Sequence, residues 1–428
     1  HKDRTWTSER TLEAYGKHYT IGFPHEEYQS GRPRIVSPLY DRLKKLNACF
    51  GSKLGWERPN WFAPAGEEAR DIYTMGRQNW FAAVGEEHRC VRERVGVFDQ
   101  SSFAKYELRG KDAEEALGWI CANNVARPVG KLTYTQMLNS RGGIECDLTV
   151  ARLAEDHFYI VTGTGFRTHD FAWIVDHLKP GLEAKLTDIT EQYGTLSVMG
   201  PKSRAVIQAV TKTDMSNAAF KFGEVREIEI AGHKVRALRV TYVGELGWEL
   251  HMPIAATGEV FDALMVAGKP HGIAPVGYRA LESLRLEKGY RAWSSDITPN
   301  DTPLHAGLGW AVKMKSNQAF LGREAIEKIA QAPLTKMLAG FTTEREDIVL
   351  SGRETILRNG AFAGYLTSGG YGYTIRKPVG FGYVRNADGV DEAYLEAGRY
   401  ELVVAKEIVK ANIHLQPIYD SLNQRVKS

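Results

Sequence analysis

Two short strings each set a carboxylate just beyond a glycine. Residues 141–150 read Arg-Gly-Gly-Ile-Glu-Cys-Asp-Leu-Thr-Val and place Asp147 in an apolar, β-branched stretch. Residues 242–249 read Tyr-Val-Gly-Glu-Leu-Gly-Trp-Glu and end on Glu249. Both stretches begin like strands. Asp is a poor strand former, and a Glu beside a Trp on a strand is costly unless something pairs with it. Two such acids point to a pocket that takes a ligand rich in N–H donors.

An ionised carboxylate offers two acceptor oxygens in one plane. A pterin ring presents adjacent N–H donors and fits such a group bidentately, so Glu249 reads either as a pterin ligand or as the partner of a neighbouring Arg. Tyr242 reaches the same cavity if Gly244 and Gly247 bend the chain there. Asp147 follows a Gly-Gly turn that suits a hairpin needing positive φ. It reads either as a catalytic or orienting carboxylate near a substrate nitrogen or as a cap on that turn. Tyr134, on the preceding strand, faces it across the hairpin. Arg279 is an anchor for a ligand, or half of a helix-surface ion pair with Glu282.

The elements that must position these groups follow from periodicity. Between residues 1 and about 75 only Leu39–Leu46 has helical spacing, and the rest reads as an extended arm that packs on another body. From residue 85 helices and strands mix: helices at 86–95, 112–120, 167–178, 258–266 and 275–287, strands at 103–109, 132–138, 147–153, 158–162, 225–230, 234–240 and 248–252. Hairpins outnumber βαβ units, which makes the class α+β. After residue 335 short strands punctuated by Gly predict a small β-barrel or sandwich. The division is thus 1–80 for the arm, 81–334 for two α+β subdomains and 335–428 for the barrel.

Composition removes several function classes. The chain has 428 residues, 55 Lys and Arg against 52 Asp and Glu, and a formal net charge of +3. That balance makes no case for nucleic acid or an anionic membrane. No apolar run is long enough to span a bilayer, and the first residues lack a signal-peptide core. Without an initiator Met, the start reads as a processed, truncated or subunit boundary. Cys49, Cys90, Cys121 and Cys146 show no metal or disulfide spacing and read as reduced thiols of a reducing compartment. G-x-G-x-x-G, the phosphate-loop pattern and G-x-S-x-G are absent, so the chain carries no dinucleotide fold of its own. His169, His251 and His305 show no ligand spacing and read as surface or structural residues.

Taken together, the strings resemble the glycine-cleavage T-protein (aminomethyltransferase) family over about residues 87–428. The resemblance runs through Arg94–Ser101, the Gly-Gly-x-x-x-Asp string, Tyr-x-Gly-Glu-x-Gly-x-Glu, Arg285–Gly289, Asn300–Leu304, Thr367–Gly370 and Pro417–Asp420. It implies three subdomains around a central tetrahydrofolate cavity. It also implies that Asp147 is the essential carboxylate, that Tyr134, Tyr242 and Glu249 line the folate site with Glu249 on the pterin, and that Arg279 binds folate too. Gly163 stands where aminomethyltransferases carry Asn, and His305 replaces an acid, which points away from a lipoyl-protein-dependent T-protein.

The arm is similar to the junction of FAD-dependent dimethylglycine and sarcosine dehydrogenases or oxidases, through Gly31-Arg32-Pro33, Ser37–Tyr40 and Gly55–Phe62. The resemblance implies oxidative N-demethylation of a methylated amine in a flavin half and capture of the one-carbon unit here as 5,10-methylenetetrahydrofolate. FAD is then expected only in the other half or a partner subunit, in a homo- or hetero-oligomer, in the cytoplasm or, in a eukaryote, the mitochondrial matrix. The alternatives are a stand-alone folate-dependent methyl- or aminomethyltransferase and a non-catalytic subunit of a flavin oxidoreductase.

Overall fold

Strand-by-strand alternation of burial explains how the four sheets of this chain stack. The computed structural model describes residues 3–428. The first helix, α1 (Arg4–Gly16), is followed by α2 (Tyr40–Lys45) and a hairpin of β1 (Ala48–Lys53) and β2 (Trp56–Phe62). This corrects the expectation of an extended arm. In α1 none of the residues is buried, so no apolar stripe betrays it; Asp3 caps the Trp6 N–H at 2.9 Å and Lys17 pairs with Glu13 at 2.9 Å. In the hairpin a bulge at Cys49/Phe50 and the proline at 59 break the period-2 pattern.

The body holds α3 (Phe81–Glu93), β3 (Val95–Asp99), β4 (Ala104–Arg109), α4 (Ala113–Ile120), β5 (Leu132–Leu138), β6 (Ile144–Ala154), β7 (His157–Thr162), α5 (Arg167–His177), β8 (Lys185–Asp188) and β9 (Tyr193–Met199). It continues with α6 (Ser203–Gln208), β10 (Val225–Ile230), β11 (His233–Leu238), β12 (Gly247–Pro253), α7 (Thr257–Gly268), β13 (Ile273–Pro275) and α8 (Tyr278–Lys288). One sheet runs β5-β6-β7-β4-β8 and a second β10-β11-β12-β9-β3-β13. The last strands are β14 (Lys336–Thr343), β15 (Thr355–Arg358), β16 (Ala361–Gly372), β17 (Lys377–Arg385), β18 (Tyr400–Val404) and β19 (Glu407–His414), and they close into a six-stranded barrel in the order β14-β17-β16-β15-β18-β19.

The five- and six-stranded sheets each bury one largely apolar face. In the five-stranded sheet Tyr106, Leu108, Cys146, Leu148, Val150, Phe158 and Ile160 pack under α4 and Ile174 of α5. In the six-stranded sheet Trp248, Leu250 and Met252 join Val198 and Val235 in a separate core with α7. The residues between these positions turn to the opposite faces. There Leu132, Ala151, Tyr159 and Val161 of the first sheet meet Val225 and Leu238 of the second. The polar groups of interest lie in this layer between the sheets.

The barrel is tied to the body by a buried polar knot. Arg92 of α3 bonds Glu245 and Glu287, both at 3.1 Å, and lies over the ring of Tyr419. His88 bonds Thr374 at 2.7 Å. Each buried charge has a partner, as its desolvation requires.

Candidate functional site

The hairpin of β5 and β6 sets Asp147 through local chemistry. Gly142 takes φ +80°, and a Cβ on Gly143 would meet the Pro299 carbonyl oxygen at 1.9 Å, so no side chain fits there. Asn139 closes the turn by accepting from the N–H of Arg141 and of Gly143 at 3.0 and 2.9 Å. That register puts Gln136 opposite Asp147 and Tyr134 opposite Thr149. Tyr134, Gln136 and Asp147 therefore share the face that looks into the intersheet layer.

Asp147 is enclosed but keeps accessible surface. Gln136 donates to Asp147 Oδ1 at 2.9 Å, and the Tyr134 hydroxyl lies close enough to favour the ionised form of the same carboxylate. Burial raises the Asp147 pKa to about 6 despite these two donors, with Asp170 adding to the rise and Arg291 opposing it. Tyr134 is pushed well up by burial and by the facing carboxylate, so it remains a donor. Its ring stacks on the exposed Trp310 at 5.7 Å.

Tyr242 sits on the loop between β11 and β12, not on a strand. Gly244 at φ +77° reverses the chain, and the Tyr242 hydroxyl donates to the Arg291 carbonyl at 2.9 Å, with its ring stacked on Tyr290. Tyr242 is within electrostatic reach of both Asp147 and Tyr134. The structure thus gathers Tyr134, Asp147 and Tyr242 with Arg291, whose charge reaches both Tyr134 and Asp147.

Glu249 lies on the facing sheet. β12 pairs it with Ser197 of β9 and Leu238 of β11, and alternation turns it to the intersheet side while Trp248 and Leu250 enter the core. Its side chain keeps 12% exposure, and the His251 imidazole Nε2 stands 3.6 Å from its Oε2. Opposite it is Lys105 of β4, fully buried and holding the carbonyls of Ser101 and Tyr193 at 2.8 and 2.9 Å. Burial lowers the Lys105 pKa to about 7, against the pull of Asp99 and Glu249. Lys105, Val161, Thr149 and Tyr134 form one row across the sheet. Asp147 is on the next row and two strands from Lys105, roughly 12 Å at normal strand spacing and rise. Two carboxylates on facing sheets, one beside a tyrosine and one beside a lysine, can hold a flat ligand with N–H edges and stabilise positive charge on it.

Arg279 is placed elsewhere. Its two terminal nitrogens each bond Asp71 at 2.8 Å, and its guanidinium lies 4.4 Å from the centre of the Trp80 ring. The ion pair with Glu282 does not form, because Glu282 bonds Arg285 instead. Arg279 and Glu282 line a second cavity of about 330 Å³ between residues 25–27, 76–81 and the barrel. Arg279→Ala leaves Asp71 buried without its cation. We expect a loss of roughly 3 kcal/mol in denaturant unfolding, with reduced-folate affinity within twofold of wild type; a larger loss of affinity would return Arg279 to the ligand site.

Several neighbours were invisible to spacing alone. Gln136 could have been found by counting the hairpin register back from Gly142-Gly143. Arg291, Lys105 and Trp310 carry no local signal. His251, expected at the surface or in a structural role, is fully buried next to Glu249; its position two residues along the same strand was the available clue. Cys146, His169 and Asp170 bring ligand-type atoms within 4.8 Å of one another. Asp170 there accepts from Thr162 at 2.6 Å and bonds His169 at 2.9 Å, and burial pushes the Cys146 thiol well up, so both Asp170 oxygens are engaged and Cys146 stays a thiol. All four cysteines are free and buried. Among the described residues no helix is long and apolar enough to cross a membrane.

Comparison with known proteins accords with this fold. Residues 39–316 match the family described as GCVT N-terminal domain, residues 336–420 the glycine cleavage T-protein C-terminal barrel domain, and residues 1–37 the FAD dependent oxidoreductase central domain. Mitochondrial sarcosine dehydrogenase of Mus musculus is 38% identical over 99% of this chain and 50% of that protein. Mitochondrial dimethylglycine dehydrogenase of Mus musculus is 37% identical over 89% of this chain and 44% of that protein. The chain spans about half the length of these relatives. The crystal structure of glycine cleavage system aminomethyltransferase T from Bartonella henselae superposes with a TM-score of 0.77 at 26% identity, covering 91% of this chain and 99% of that one.

Proposed function

This chain belongs to the glycine cleavage T-protein family, and from that premise we propose that it is the folate-dependent half of an enzyme that oxidatively demethylates an N-methyl amine. Tetrahydrofolate, when bound, supplies the two nitrogens that take up the one-carbon unit as 5,10-methylenetetrahydrofolate. The observation that carries the reading is the pair of carboxylates, Asp147 and Glu249, on the facing surfaces of two sheets. The fit to a reduced folate rests on their surroundings. Glu249 keeps an accessible edge beside a neutral imidazole, and Asp147 keeps accessible surface beside aromatic Tyr134, Tyr242 and Trp310.

The residues divide the work. Glu249 accepts from the N–H edge of the pterin. Tyr134 and Gln136 hold the Asp147 carboxylate so that it faces the reacting nitrogen, where its negative charge stabilises a developing cation. Arg279, committed to Asp71, fastens the segment around residue 71 to α8. A folate seated between the sheets would shield the reacting carbon from water.

The flavin would be held outside this chain. Support comes from the match of residues 1–37 to a flavin oxidoreductase domain and from the apolar side chains left uncovered there: Leu12, Tyr15, Tyr19 and Ile21 are 71–89% exposed. The amine, of the sarcosine or dimethylglycine type, would be oxidised in that half. The relatives named mitochondrial favour a mitochondrial location in a eukaryote. A stand-alone transferase would have no use for this uncovered surface, and a non-catalytic subunit would have no use for the Asp147–Tyr134 pair.

Calorimetric titration with 5-formyltetrahydrofolate, a stable reduced folate, tests the reading. Saturable binding at one site per chain is expected. A folded chain that takes up none would overturn it.

A further inference from the structure

His251 turns the same way as Glu249 on β12 and is completely buried. Across the gap between the sheets, the Tyr159 hydroxyl of β7 stands 2.9 Å from His251 Nδ1; within its own sheet, the hydroxyl of the neighbouring Thr195 on β9 stands 3.1 Å from the same nitrogen. Nε2 is buried with no hydrogen-bond partner, 3.6 Å from Glu249 Oε2. If Nδ1 carried the proton, the Nε2 lone pair would face a carboxylate oxygen at that distance. The favourable tautomer has Nδ1 accepting from Tyr159 and the proton on Nε2. Burial holds the imidazole neutral, against the pull of Glu249 and with Lys105 of β4 and Arg236 of β11 reinforcing it. Arg236 also covers the Tyr159 ring at 4.2 Å and so fixes the donor.

We propose that Tyr159 and His251 are positioning residues for Glu249: Tyr159 fixes the imidazole tautomer, and Nε2–H takes one carboxylate oxygen when a reduced folate seats, orienting the carboxylate plane toward the pterin. The present 3.6 Å is longer than a hydrogen bond, and a small rotation of the Glu249 side chain closes it. An N–H buried without a partner is expensive to keep, and ligand-bound Glu249 supplies the acceptor. The inference rests on Glu249 gripping the pterin.

The test is 5-formyltetrahydrofolate affinity for His251→Leu, His251→Gln, Tyr159→Phe and Glu249→Gln, with folding checked by thermal melting. The His251→Leu protein should bind at least tenfold more weakly. His251→Gln, which keeps an N–H donor near the Nε2 position, should recover to within about threefold of wild type. In the Glu249→Gln background His251→Leu should add little, because the two act as one unit. In the wild type, imidazole nitrogen NMR should report the Nε2–H tautomer, with that proton moving downfield when the folate binds. If His251→Leu does not fold, the proton shift and a several-fold loss in Tyr159→Phe decide the matter. A silent Glu249→Gln would sink the pterin reading itself. A weakened Glu249→Gln beside a folded His251→Leu of full affinity, additive losses in the double variant, or an unshifted Nε2 proton would overturn the positioning role alone.

Discussion

Asp147→Asn is expected to cut folate-dependent one-carbon transfer by about 100- to 1000-fold, the range for removing one preorganised electrostatic contact at a reacting centre. Reduced-folate affinity should change much less, since the charge acts on the cation that develops during transfer. The same substitution should stabilise the chain at neutral pH. Burial raises the Asp147 pKa from 3.8 to about 6. Between those values the folded chain holds a proton that the unfolded chain has released, so stability falls as pH rises across the window and the deficit is complete above about 6. Two pKa units correspond to on the order of 2–3 kcal/mol. The asparagine variant lacks that deficit, and its side-chain carbonyl can still accept from Gln136. Denaturant melts of the two proteins should therefore differ most at pH 7–8 and converge below about pH 4. Transfer by the wild type should decline as pH falls through about 6, while the residual rate of the asparagine variant stays flat there. A variant with full transfer activity, or with no stability gain at about pH 7.5, would remove Asp147 from its assigned place.

Glu249→Ala is the second large effect, and it falls on binding. A carboxylate accepting charge-assisted hydrogen bonds contributes about 1.5–3 kcal/mol, which is roughly 10- to 150-fold in affinity for a reduced folate. Calorimetry of wild type beside variant reads it directly. Little stability should be lost, because Glu249 keeps an accessible edge and stands 3.6 Å from its nearest recorded ion partner. Lys105 supplies an independent readout. Glu249 helps keep that buried amine protonated, so the alanine variant should shift the Lys105 titration further down, below about 7. Undiminished binding with an unmoved Lys105 would show that the pterin sits away from β12.

These two outcomes separate what the halves of the site do. Asp147 belongs with Tyr134, Tyr242 and Arg291, where the accessible aromatic residues Trp310 and Tyr290 gather. Glu249 belongs to the deeper cluster of Lys105, His251 and Tyr159. A ligand that spans both must lie across the row from Tyr134 to Lys105. On the proposed reading, that is the row a flat bicyclic ring joined to an aromatic extension would follow.

Much of this was present in the linear order of residues. Period-2 alternation in residues 144–150 and 247–252 puts Asp147 and Glu249 on the face opposite to Cys146, Leu148, Trp248 and Leu250, and backbone geometry alone enforces that separation. The Gly142-Gly143 turn sets the hairpin register, because only a residue without a Cβ fits beside Pro299. Gly-punctuated strands after residue 335 announce the barrel, whose closure pairs β14 with β19. Local sequence also misled where local forces were weak. In α1 the stabilising contacts are an Asp cap and one Glu–Lys pair, with no buried stripe to mark the period. What the tertiary structure alone decided is which faces meet. Asp71 comes from 208 positions away to pair with Arg279, Tyr159 crosses 92 positions to meet His251, and Tyr242 reaches Arg291 across 49. Periodicity states that a side chain turns inward; the partner it meets there depends on how two sheets stack, which is settled by the summed burial of residues scattered through the whole chain.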